Sequence, residues 1–118
     1  MLLWYHAIKH TTNHRITKGK PMEIIFIGTR ANITHRTDRH RYNAACLISY
    51  RRTTIMIDCG TDWRSSLKQL AGWPDGILIT HAHADHVGGL SAGAPCPVYA
   101  LKAVHELTKR YPLRRRVV

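Results

Sequence analysis

Thr80-His81-Ala82-His83-Ala84-Asp85-His86-Val87-Gly88-Gly89-Leu90 is the stretch on which the reading of this chain turns. His81, His83, Asp85 and His86, all able to ligate a metal, fall within six residues. They follow directly on Gly76-Ile77-Leu78-Ile79-Thr80, an apolar run that predicts a buried strand. The ligands therefore stand at a strand exit, where a rigid scaffold meets solvent. In an extended backbone, side chains two apart share a side, so His81 and His83 can grip one ion together. Asp85 and His86 come one turn later and can face a second ion beside it. Imidazole suits zinc, and a carboxylate suits zinc, iron or manganese. Ala82 and Ala84 leave room for close packing, and Gly88 and Gly89 permit a close backbone approach. A loop that is histidine-rich by chance would explain isolated histidines. It does not explain three histidines and an aspartate at this spacing.

Working outward, the chain alternates short strands with short helices, which implies an α/β layered sheet. Ile24-Ile25-Phe26-Ile27, stopped by Gly28, predicts a buried central strand. Residues 30–43 are polar and rich in arginine and histidine, and predict a long loop. Residues 44–50 and 53–57 predict a hairpin turning through Arg51-Arg52, with its second strand ending at Asp58-Cys59-Gly60. Asp62 is placed to cap a helix carrying Trp63, Leu67 and Leu70 on one face and ending at Gly72. Pro97-Val98-Tyr99-Ala100 predicts a further strand. Leu101, Val104 and His105 mark one face of a helix that Pro112 stops, with His105 a surface or boundary residue. Residues 1–21 show no sustained period and read as a disordered or non-native extension. Residues 22–112 form the domain, and 113–118, with Arg114-Arg115-Arg116, read as a basic tail.

With 118 residues the chain has room for one domain, and 44% hydrophobic residues are enough for a core. No apolar run approaches the ~20 residues that a membrane-spanning helix needs. Cys46, Cys59 and Cys96 are odd in number and lack C-x-x-C spacing, which fits a reducing, cytoplasmic setting. The net charge is +11, and it is uneven: residues 30–52 hold six arginines against one acid. Such a flank can attract phosphate-rich partners, or simply keep the chain in solution. Neither a helix-turn-helix nor a zinc-finger pattern accompanies it.

The quoted stretch resembles the H-x-H-x-D-H signature of the metallo-β-lactamase-fold hydrolases. Ile25-Phe26-Ile27-Gly28-Thr29 is similar to that family's first strand and glycine turn, and Ile55-Met56-Ile57-Asp58-Cys59-Gly60 to the strand ending in its first motif aspartate. Within the superfamily the cyclic-phosphate phosphodiesterase and ribonuclease Z branches look most similar. The resemblance spans residues 22–112 and implies the N-terminal half of an αβ/βα sandwich.

By that resemblance His81 and His83 bind a first metal, while Asp85 and His86 serve a second. Asp85 also orients an attacking hydroxide, and Asp58 sits behind the ligands and orients a ligand histidine or the loop. Two zinc ions (Mn2+ or Fe in their place) and a phosphodiester substrate, small or RNA, follow. The later histidine, bridging aspartate and last histidine of the pattern do not appear after Leu90. The expectation is therefore a truncated chain, inactive or slow alone, whose exposed sheet invites self-association or a completing chain. Two other readings stay open: a non-catalytic remnant or binding module, and a basic nucleic-acid-binding fragment.

Overall fold

The computed structural model describes residues 21–32, 35–67, 70 and 72–118, so the extension expected over 1–21 lies almost wholly outside the described residues. Among the described residues six strands run in chain order across one sheet: β1 (Glu23–Gly28), β2 (Ala45–Tyr50), β3 (Thr53–Ile57), β4 (Gly76–Leu78), β5 (Val98–Tyr99) and β6 (Arg116–Val117). The first three pair antiparallel, and β3 to β6 pair parallel. Between them lie a 3₁₀ turn (Thr61–Trp63), helix α1 (Ala84–Val87), a second 3₁₀ turn (Gly88–Leu90) and helix α2 (Lys102–Leu107). This mixed sheet with helical connections matches the α/β expectation.

Register explains the core. Ile25, Leu47, Met56, Ile77 and Val98 lie side by side across five strands, and all five are buried. Trp63, Leu67, Val87, Leu90 and Val104, from the connections, close onto the same cluster. The alternate row of Phe26, Cys46, Ile57, Leu78, Tyr99 and Val117 is also apolar, because period-two alternation sends it to the other face. Nothing among the described residues covers that row fully. Phe26 is 72% exposed and Leu78 40%.

Four expectations change. The run 24–27 is a strand, but β1 lies at the sheet edge, and only Ile25 of its residues is buried. Where a helix is expected from Asp62 to Leu70, the described residues hold a 3₁₀ turn over Thr61–Trp63, with Gly60 in the capping position and no side-chain cap, then turns over 64–66 and 3₁₀ geometry again at Leu67. Residues 113–118 are no loose tail, since they carry β6. Arg116 is tied down there by the carbonyls of Thr108 (2.7 Å) and Tyr111 (3.0 Å). His105, expected at the surface or boundary, is buried: its Nε2 donates to the Val117 carbonyl at 2.9 Å, and its Nδ1 faces Arg116. An arginine run masks a strand when the guanidinium finds backbone carbonyls to satisfy.

Candidate metal centre

The site assembles at one end of the sheet, where β3 and β4 both finish. β3 runs into Asp58, a buried residue with φ of 61°. A left-handed residue that is not glycine needs local hydrogen bonds to hold it. Asp58 has them. Its N–H donates to the Leu78 carbonyl (2.8 Å), and its carboxylate accepts from the Thr80 N–H (2.8 Å) and hydroxyl (2.7 Å). The loop then clamps onto the motif, with the Cys59 N–H donating to the His86 carbonyl (2.7 Å) and the Gly89 N–H to the Cys59 carbonyl (2.9 Å). A Cβ on Gly60 would strike the Asp85 carbonyl, and one on Gly89 would strike the Gly60 carbonyl. The glycines are there for this close approach.

The chain leaves β4 extended through His81 and His83, then turns into α1, whose first turn carries Asp85 and His86. All four candidate ligands become neighbours. The His81 ring centroid lies 4.7 Å from that of His83 and 4.0 Å from that of His86. The Nε2 of His86 lies 3.3 Å from an Asp85 carboxylate oxygen. His83 and Asp85 also line an open cleft of about 590 Å³, together with Ala82, Ala84, Ala31 and Asn32.

Hydrogen bonds fix which nitrogens face outward. His86 Nδ1 lies 2.7 Å from the Asp58 carboxylate, so it donates there, and in the neutral ring Nε2 carries the lone pair. The Thr80 hydroxyl donates to Asp58, so its oxygen is left to accept from His81 Nδ1 at 2.9 Å. That too leaves Nε2 free to ligate. Asp58 thus orients His86 directly and His81 through Thr80. Sequence reading missed Thr80, whose only signal was its place between a strand and the first motif histidine.

The donor set fits divalent zinc. Two ligands about 2.0–2.1 Å from a tetrahedral ion sit roughly 3.4 Å apart, close to the His86–Asp85 spacing of 3.3 Å. Two lone-pair donors at that distance repel unless a proton or a metal cation lies between them. Among the described residues no three His, Cys, Asp or Glu side chains group tightly enough to hold a metal alone. Cys59, beneath the loop, is not a ligand candidate. Burial, with Cys96 and Asp58 nearby, pushes its thiol up to about 12.

A second polar cluster adjoins the first. Asp62 accepts from Arg30 and, at 2.6 Å, from Arg36. Burial would raise its carboxyl, but the two guanidinia outweigh that and hold it below its ordinary 3.8. Its N–H donates to the side-chain oxygen of buried Asn43 (3.0 Å), whose carbonyl takes the Trp63 indole (2.9 Å). The Thr61 hydroxyl donates to the Ala84 carbonyl (3.1 Å) between His83 and Asp85.

Known proteins resemble the chain in sequence and in fold. A sequence profile described as "Anti-Pycsar protein Apyc1" matches residues 22–116. A protein of that name from Bacillus phage 010DV004 is 39% identical over 74 residues, 58% of this chain and 27% of the relative. The ribonuclease Z of Clostridium kluyveri is 48% identical over 50 residues, covering 39% of this chain and 16% of that enzyme. The crystal structure of the metallo-β-lactamase fold protein YhfI from Bacillus subtilis superposes with a TM-score of 0.59 at 16% identity. It covers 83% of this chain and 46% of that one. The match therefore spans about a quarter of the first curated relative and just under half of the solved one. The likeness in structure establishes the fold, a partial metallo-β-lactamase fold.

Proposed function

This chain belongs to the family of the anti-Pycsar protein Apyc1, and on that premise we propose that its strand-end site serves a metal-dependent phosphodiesterase. The observation that carries the reading is His86 set between two carboxylates, Asp58 on Nδ1 and Asp85 facing Nε2. A divalent cation shared by Nε2 and Asp85 satisfies that arrangement. His81 and His83 would hold one zinc, and Asp85 and His86 the other. When bound, zinc polarises a phosphoryl oxygen and lowers the pKa of water toward about 7. The chain's own residues do the positioning. Asp58 and Thr80 fix the imidazoles, and Asp85, at the cleft wall, can accept a proton from attacking water. Ala82 and Ala84 keep that wall free of competing polar groups.

The non-catalytic binding module is the second reading, supported by the lack of a closed group of three donors among the described residues. Zinc titration of the chain, followed by hydrolysis of bis(p-nitrophenyl) phosphate with added Zn2+ or Mn2+, separates them. Metal binding with turnover above the metal-only blank supports the phosphodiesterase. Metal binding without turnover supports the binding module.

A further inference from the structure

The arginine-rich stretch 30–52 divides between the two ends of the sheet. Arg51 and Arg52 turn the β2–β3 hairpin, at the end away from the site. Arg30, Arg36, Arg39 and Arg41 lie in the β1–β2 connection, at the site end, with Asp38 as the one acid among them. Ala31 and Asn32 of that connection line the same cleft as His83 and Asp85.

Within the connection, Asp62 gathers two guanidinia but neutralises only one charge. Arg30 is nearly buried, its side chain 14% exposed beside the 7% of Asp62, while the Arg36 side chain is 60% exposed. The surplus positive charge therefore sits on the solvent side. Arg36 binds Asp62 through Nη2 alone in the described contacts, and a guanidinium has five N–H donors in a fixed fork. Asp62 is itself held by Asn43, and its neighbour Thr61 is bonded to Ala84 in the motif. A basic fork is thus held in place on the loop that walls the cleft, with donors to spare. Preorganised arginine is the group that recognises phosphate oxygens in two-point fashion.

We propose that Arg36 is a specificity-determining residue that binds a phosphate oxygen of a ligand seated in the cleft, with Asp62 as its positioning residue. The ligand class rests on the phosphodiesterase reading; the anion site itself does not. The test uses the whole metal-free chain and inorganic phosphate, followed by the Arg36 Nε–H resonance and by titration calorimetry. Phosphate should shift the Arg36 Nε–H signal in the wild type. Arg36→Ala should weaken phosphate binding about three- to tenfold, Arg36→Lys less, and an Arg51→Ala/Arg52→Ala double variant hardly at all. An unmoved Arg36 signal, or equal losses in Arg36→Ala and the double variant, would overturn the proposal. Zinc titration of the same samples is read separately. Phosphate binding at Arg36 without zinc binding would refute the phosphodiesterase reading and leave this site standing.

Discussion

Asp58 accepts from a hydroxyl, an amide and an imidazole, whereas Asp62, four residues further along the same loop, takes two guanidinia. Both carboxylates are nearly buried, yet their partners differ in kind. Thr80 and the histidines can each donate or accept, so the carboxylate at Asp58 decides which atoms of its neighbours point at the cleft. Arginine is always charged, so Asp62 decides only where two fixed charges stand. One carboxylate sets ligand orientation, and the other sets local potential and loop anchorage. The lesson is that a buried acid must be judged by what its partners can do with their remaining atoms.

Breaking the first region should have the largest effect. Asp58→Asn keeps the shape but no longer enforces Nδ1–H on His86, and zinc affinity measured against a competing chelator should fall about 10- to 100-fold. Asp62→Asn should leave zinc affinity within about threefold and instead cost roughly 1–3 kcal/mol in denaturant unfolding, because a part-buried ion-pair cluster loses its anion. An equal loss of zinc affinity in both variants would erase the division of roles.

The pH dependence sharpens it. Asp62, with its carboxyl held below 3.8, contributes stability at neutral pH that is lost as pH falls through its depressed value. The wild type should therefore lose stability more steeply than Asp62→Asn below about pH 4. Parallel acid-unfolding curves would mean that the ion pairs add nothing. Thr80→Val removes the relay to His81 but not the direct bond to His86, so zinc affinity should drop about three- to tenfold, less than in Asp58→Asn. The smallest difference is in the thiols. At pH 8 Cys59 should react with a disulfide reagent more slowly than the half-exposed Cys46, because burial lifts Cys59 further.

Much of the first region could be read from the chain, because its ligands are consecutive and the strand before them is apolar. Asp58 was legible as a strand-end acid preceding a glycine. The second region was not. Arg30 and Asp62 are 32 residues apart, and no local period announces such a pair. Asp62 was read as a helix cap because Trp63, Leu67 and Leu70 have helical spacing. In the folded chain its carboxylate binds the guanidinia instead of capping, and it lies in a 3₁₀ turn. β6 was hidden for a related reason: three successive arginines look solvated until Arg116 meets the carbonyls at the end of α2. The run 24–27 announced a strand correctly. A continuous apolar run fits a strand with both faces covered, and could not show that Ile24 and Phe26 would lie on the open one.

The account rests on His81, His83, Asp85 and His86 forming a metal site, and zinc titration of the wild type beside a His81→Ala/His83→Ala variant tests this most directly. Both imidazoles stand at the strand exit rather than in the core, so the variant should keep its fold by circular dichroism. The predicted result is saturable zinc binding by the wild type and a loss of at least tenfold in the variant. Equal zinc affinity in the two folded proteins would contradict the assignment.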